Sequence, residues 1–116
     1  MATNESFIGR LLRIVPELKD AYDEHVADND ILLPHVFMGD VTRFVLAEIS
    51  CIKGDVVVKR ILDCLENEML AGSAESMGLI RASFVENLVG ASKAMPKLKL
   101  IMGPALRAEV EAICGN

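Results

Sequence analysis

Residues 53–72, KGDVVVKRILDCLENEMLAG, decide the fold class of this chain. Large apolar side chains recur there at the three- and four-residue spacing of one helical face, at Val58, Ile61, Leu62, Leu65 and Met69. We predict Asp55 as the N-cap of this helix and Gly72 as its end. The three valines at 56–58 favour a strand locally, but they lie within the longer helical period. The stretch is therefore predicted to be one helix.

The same helical period continues on both sides of this stretch, and Gly and Pro residues divide it. Further helices are predicted over residues 7–14, 16–28, 34–50 and 73–90, and short final helices begin at Pro96 and Pro104. No linker or low-complexity segment separates them. We predict one all-α domain covering residues 1–116. Its architecture is either a compact bundle of six to seven helices or a short, helical-repeat-like superhelix of antiparallel hairpins.

The composition excludes several classes of protein. Of the 116 residues 52% are hydrophobic, enough to bury a core, and 12 basic against 17 acidic residues give a net charge of −5. That charge argues against nucleic-acid binding, which depends on basic residues that neutralise phosphates. No apolar run approaches the roughly 20 residues that span a bilayer, and no secretory signal is present. Three cysteines without a CxxC pair fit a reducing compartment, so we expect a cytoplasmic protein that does not bind membranes.

The acidic excess lies entirely in the first half of the chain. Residues 1–58 contain ten acidic and five basic side chains, whereas residues 59–116 contain seven of each. The acids concentrate in the second predicted helix and the loop after it, and the predicted binding residues there are Asp23, Glu24, Asp28 and Asp30. This segment is either a solvated helix face or a docking surface for a basic protein partner.

Polar residues also interrupt the apolar faces of three predicted helices. His25 lies within the apolar face of the second helix, Glu48 and Asp40 lie in or beside that of the third, and Asn87 and Ser83 accompany that of the fifth. A buried carboxylate costs several kcal/mol unless it is paired, so we expect these groups to satisfy one another. One interpretation is a structural network of His25, Glu48 and Asn87. A second is that a local kink or an error in the assumed helical phase places some of these residues at the surface. A third is a functional cluster, either a metal site or an acid–base pair with a shifted pKa.

Motifs of metal or nucleophilic catalysis are absent from the sequence. The two histidines, His25 and His35, are ten residues apart, no HExxH motif occurs, and no cysteine pair has zinc-ligand spacing. No GxSxG and no phosphate-binding glycine loop is present. We therefore predict no catalytic residue, no metal site and no cofactor, which favours a binding protein over an enzyme.

Two segments resemble a family of small, uncharacterised bacterial helical proteins. They are residues 24–40, EHVADNDILLPHVFMGD, and residues 79–88, LIRASFVENL, and the similarity extends over about residues 15–90. The residues that match the family's motifs are His35, Gly39, Asp40, Ser83, Phe84, Glu86 and Asn87. Related small helical proteins are discussed as immunity proteins, which block a toxin domain by binding it. The resemblance therefore implies a protein partner.

The function predicted from the sequence is protein–protein binding by a small acidic helical protein, as an immunity-type inhibitor of a toxin. The alternative is a small-ligand or metal-binding protein, or an enzyme, that uses an inward-facing cluster of His25, Asp40, Glu48 and Asn87. A third hypothesis is a module that forms a homo-oligomer. The polar cluster of structural or functional residues comprises His25, His35, Asp40, Glu48, Ser83, Glu86 and Asn87.

Overall fold

A computed structural model of the protein describes residues 4–90 and 93–114, and within these ranges the chain forms seven helices and no strand. The helices are α1 (Asn4–Ile14), α2 (Lys19–Asn29), α3 (Pro34–Glu48), α4 (Gly54–Ala71), α5 (residues 74–89), α6 (Met95–Ile101) and α7 (Pro104–Cys114). A 3-10 turn, Pro16–Leu18, leads into α2, and a π-helical segment, Arg81–Val85, interrupts α5. None of the described helices combines the length and apolarity needed to cross a membrane. The all-α prediction is confirmed.

Helix α4 lies at the centre of the fold and packs against α1, α3, α5 and α7. Its predicted apolar face is buried as expected, with Met69 the most exposed member at 7%. Each such side chain contributes about 1.5–3 kcal/mol when it leaves water. The Cα radius of gyration is 13.2 Å. A globular chain of this length has a radius of about 13 Å, so the bundle architecture holds rather than the extended superhelix.

The start of α4 differs from the prediction. The helix begins at Gly54, and Lys53 before it has left-handed backbone angles, with φ 70°, and no side-chain cap. A Cβ atom on Gly54 would lie 1.7 Å from the backbone oxygen of Glu48, so only glycine allows this close turn. Asp55 therefore lies inside the first turn. Its negative charge interacts favourably with the positive end of the helix dipole there, but its side chain does not cap the helix.

The other predicted ends of α4 and α5 agree with the structure. Gly72 follows the last residue of α4, although its backbone is extended rather than left-handed. Ser73 caps α5, and its hydroxyl oxygen accepts a hydrogen bond from the backbone N–H of Ser76 at 3.2 Å. Such a cap contributes about 1 kcal/mol.

A buried carboxylate of α4 caps the distant helix α7. Glu66 is 8% exposed, and its two oxygens accept hydrogen bonds from the backbone N–H groups of Ala105 and Leu106 at 2.8 and 2.9 Å. These N–H groups have no acceptor within their own helix, and the carboxylate also complements the positive end of the helix dipole. The residue before the helix is Gly103, where a Cβ atom would lie 2.4 Å from the Glu66 carboxyl carbon.

A second buried carboxylate on α4 forms an ion pair with α1. Glu68 Oε1 accepts a hydrogen bond from the Arg10 guanidinium at 2.5 Å, and the Glu68 side chain is 7% exposed. Cys64 lies one turn earlier on α4. Burial, with a smaller contribution from the negative charge of Glu68, raises the pKa of the Cys64 thiol to about 11.

Substitution of Glu66 by Gln is expected to lower the free energy of unfolding by about 1–3 kcal/mol, because the amide nitrogen leaves one buried N–H of α7 without an acceptor. Urea denaturation measures the change. The matched control is Glu111→Gln, which removes an exposed carboxylate and is expected to change stability by less than about 0.5 kcal/mol. Equal effects of the two substitutions would contradict the capping role of Glu66.

The raised pKa of Cys64 predicts that its thiol stays protonated and unreactive in the folded protein near neutral pH. In a Cys114→Ser background, a thiol reagent is expected to modify the exposed Cys51 rapidly and Cys64 only after unfolding. Mass spectrometry of the native and the urea-unfolded protein counts the modified thiols, and the Cys51→Ser variant isolates Cys64. Rapid native labelling of Cys64 would contradict its burial.

Candidate functional site

An open pocket of about 430 Å³ lies between α2 and α3, and we call it the α2/α3 pocket. Three carboxylates, one guanidinium and a buried imidazole are among its lining residues, which are Ala21, Glu24, His25, Asp28, Asn29, Val36, Asp40 and Arg43. With the imidazole neutral, the lining carries a net charge of −2. The pocket therefore favours a cationic group.

Helical spacing brings these residues to one place. Glu24 and Asp28 are four residues apart on α2, and Val36 and Asp40 are four residues apart on α3, so each pair shares one helical face. Asp30, with φ 68°, ends α2 in the left-handed conformation, and Pro34 begins α3. This short connection folds α3 back against α2.

His25 fixes this connection from inside the fold. Its side chain is buried at 3% exposure, and Nε2 accepts a hydrogen bond from the backbone N–H of Leu33 at 2.9 Å. Its ring also packs against Phe37, with the ring centroids 5.7 Å apart. The Leu33 N–H lies just before α3, so His25 supplies an acceptor to a donor that precedes a helix.

The hydrogen bond from Leu33 assigns the protonation of the imidazole. An accepting Nε2 carries no proton, so the proton of the neutral ring lies on Nδ1. Nδ1 is 3.6 Å from Asp40 Oδ2, and the other oxygen of Asp40 accepts a hydrogen bond from Arg43. The side chain of Asn29 lies beside this ring and donates to the backbone oxygen of His25 at 2.8 Å.

This arrangement places Asp40 beside the imidazole and leaves neither ring nitrogen of His25 open to a substrate. Nε2 is occupied by a backbone donor, Nδ1 faces a carboxylate, and the ring is almost inaccessible to solvent. A general base needs an accessible nitrogen within hydrogen-bond reach of its substrate. His25 therefore acts as a positioning residue that holds α2 and the α2–α3 connection together.

A second group of polar side chains joins α3 to α5. His35 Nδ1 lies 2.6 Å from the hydroxyl oxygen of Ser83, which is in the π-helical segment. The backbone oxygen of Ser83 accepts hydrogen bonds from Thr42 at 3.3 Å and from Asn87 at 2.8 Å. Ser83 is 6% exposed, so its hydroxyl lies within the helix–helix contact rather than in an open cleft. These hydrogen bonds therefore stabilise the packing of α3 against α5.

The structure does not bring Glu48 or Asn87 to His25, so the predicted network of these three residues is wrong. Asn87 is exposed and bonds to the Ser83 carbonyl, four residues earlier on its own helix. Glu48 is half-buried and lies about 12 Å along the α3 axis from Asp40, because eight residues of helix separate them. Glu86 is exposed on α5. The cluster divides into His25 with Asp40, and His35 with Ser83.

The four acidic residues predicted to bind a partner do not all lie in the α2/α3 pocket. Glu24 and Asp28 line the α2/α3 pocket. Asp23 forms an ion pair with Lys19 at 3.0 Å on the exposed side of α2, and Asp30 is exposed at the end of the helix. Within the described ranges 4–90 and 93–114, no group of three or more His, Cys, Asp or Glu side chains is placed to hold a metal ion.

Sequence reasoning missed Arg43 and the buried carboxylates of α4. Arg43 follows Asp40 by three residues, a spacing that allows the observed ion pair. Glu66 follows Leu62 by four residues and so lies on the apolar face of α4. The helical periodicity that singled out His25 also marks Glu66.

The described helices define a small all-α protein with an open, acidic pocket between α2 and α3. The chain belongs to the family described as a domain of unknown function (DUF7674), whose sequence model matches residues 8–115. The match extends beyond the predicted residues 15–90 at both ends. No curated protein and no solved structure matched the chain.

His25→Ala is expected to lower the free energy of unfolding by about 2–4 kcal/mol, because it removes a buried ring and leaves the Leu33 N–H without its acceptor. Chemical denaturation measures this loss. Glu24→Gln, in the same pocket but exposed, is the control and is expected to stay within about 0.5 kcal/mol of the unmodified protein. A His25 variant as stable as the control would contradict the anchoring role of the imidazole.

Proposed function

We propose that this protein acts by binding another protein, and that the α2/α3 pocket receives a basic side chain of that partner. The observation that carries the proposal is the convergence of Glu24, Asp28 and Asp40 on one open cavity. A carboxylate binds a guanidinium or ammonium group through charge-assisted hydrogen bonds, which are stronger than neutral ones.

The pairing of charges within the pocket supports this proposal. Arg43 pairs with Asp40 at the pocket wall. In the described part of the chain, Glu24 and Asp28 have no cationic partner. Two carboxylates on one face repel each other unless a cation neutralises them, so a basic side chain from outside relieves the repulsion.

We further propose that the partner is a toxin domain with a basic surface, and that binding inhibits it. The net charge of −5 supports this partner chemistry, since opposite charges accelerate association and favour the correct partner. The proposal also rests on the resemblance of residues 24–40 and 79–88 to small helical proteins discussed as immunity proteins.

The test compares capture of the partner by two variants with equal changes in charge. Tagged protein is incubated with lysate of the source organism at low and high salt, and bound proteins are identified by mass spectrometry. Glu24→Gln combined with Asp28→Asn is expected to reduce capture of a basic partner about tenfold, because two charge contacts are lost. High salt is expected to reduce capture by the unmodified protein as well.

The control variant combines Asp63→Asn with Glu111→Gln, two exposed acids that do not line the pocket. It is expected to capture the partner as well as the unmodified protein does. Equal loss in both double variants would show that overall charge, not the pocket, determines binding. Co-expression of the captured partner with and without this protein then tests inhibition, and unchanged toxicity would contradict the immunity role.

A further inference from the structure

A second and larger cavity, of about 710 Å³, lies between the start of α2, the end of α3 and the start of α4, and we call it the α3/α4 groove. Apolar side chains form part of its wall: Phe44 is half-buried, Val57 is buried and Val56 is 62% exposed. The remaining lining residues are Glu17, Asp20, Glu48, Lys53 and Arg60.

The three acidic residues of the groove differ in whether a cationic side chain pairs with them. Glu17 forms an ion pair with Arg60, and this hydrogen bond lowers the pKa of Glu17 from its ordinary value. Within residues 4–90 and 93–114, no cationic side chain pairs with Asp20 or Glu48. The groove therefore combines an apolar wall with two carboxylates available to a partner.

The α2/α3 pocket and the α3/α4 groove lie next to each other along α3, and we call the two together the channel. On α3 the residues Val36, Asp40, Phe44 and Glu48 are spaced by four, so each lies about one turn beyond the last in a row that winds gradually around the helix; the first two line the pocket and the last two line the groove. The opposite wall carries Glu17, Asp20, Glu24 and Asp28 at spacings of three and four, divided between the cavities in the same way. The α3 wall is about 18 Å long at 1.5 Å per residue.

We infer that this channel binds one basic, amphipathic segment of the partner protein, with a basic side chain in the α2/α3 pocket and a large apolar side chain in the α3/α4 groove. This inference rests on the proposed function and specifies the chemistry of the partner. The lining of the whole channel contains six acidic and three basic residues, a net charge of −3. The net charge of the whole chain is −5, so more than half of it lies along the channel.

The two ends require different side chains. Asp40 and Glu48 are about 12 Å apart along α3, and Phe44 lies midway between them. In a bound helix the same span corresponds to about two turns, so a basic and an apolar residue about seven or eight positions apart reach both ends. Val56, at 62% exposure, is the most exposed apolar side chain of the groove, and its burial under an apolar side chain of the partner would favour binding.

A library of random peptides of about twelve residues, the helical length that matches the channel, tests this inference when selected on the full-length protein. The expected result is enrichment of peptides that combine Arg or Lys with a large apolar residue at helical spacing. Titration of the enriched peptides into isotope-labelled protein is expected to shift the NMR signals of residues 17–28 and 36–57 more than the signals of α7.

Two groove variants show whether both kinds of contact are used. Val56→Ser removes the exposed apolar contact, and Asp20→Asn combined with Glu48→Gln removes the two unpaired carboxylates. Each is expected to weaken peptide binding about tenfold. The matched controls are Leu70→Ser, an exposed apolar residue outside the groove, and Asp63→Asn combined with Glu111→Gln; both are expected to bind normally.

The outcomes separate this inference from the proposed function. Basic peptides that bind with unchanged affinity to Val56→Ser and to the groove double variant, but lose affinity when Glu24 and Asp28 are replaced, overturn the channel and leave the binding pocket standing. Failure to enrich basic peptides, or binding that no acidic substitution weakens, overturns both. Self-association of the unmodified protein that Val56→Ser abolishes, measured by sedimentation, assigns the groove to a second copy of this chain and overturns the inference.

Discussion

The hydrogen bond from the Leu33 backbone N–H to His25 Nε2 is the constraint on which the acidic site depends. His25 is the only residue of α2 that is fully buried among those the structure describes, and the rest of α2 is mostly polar. An isolated helix of this length is marginal in water, so tertiary contacts must hold it. The imidazole ties the α2–α3 connection to α2, and its Nδ1 lies 3.6 Å from Asp40 Oδ2, so it lies at the base of the pocket between the two helices.

The helices were predictable because their apolar faces repeat at the spacing of a helix, and Gly and Pro mark their ends. The burial of His25 followed from the same periodicity. Its partners did not, because a helical period gives the direction of a side chain but not the neighbouring helix that it meets. Glu48 is half-buried and Asn87 is exposed and bonds to the Ser83 carbonyl on its own helix, whereas the donors to Glu66 lie in a helix some forty residues away.

The site combines features that serve different purposes. His25, Ser83 and Thr42 are buried and hydrogen-bonded, so they maintain the arrangement of α2, α3 and α5. Outside this layer Asp20, Glu24 and Asp28 are exposed and have no cationic partner among the described residues, which is costly in self-repulsion but favourable for attracting a cationic partner. Because buried hydrogen bonds hold the helices together, substitutions of the exposed acidic residues leave the core intact.

The cap that Glu66 supplies to α7 has a consequence for the order in which the chain can fold. The Glu66 carboxylate on α4 becomes buried, yet its donors, Ala105 and Leu106, are synthesised about forty residues later. Until they arrive, the centre of the core holds a carboxylate without donors, which a partly made chain must keep in water. Closure of the core around α4 therefore awaits α7, and loss of α7 would destabilise the core around α4.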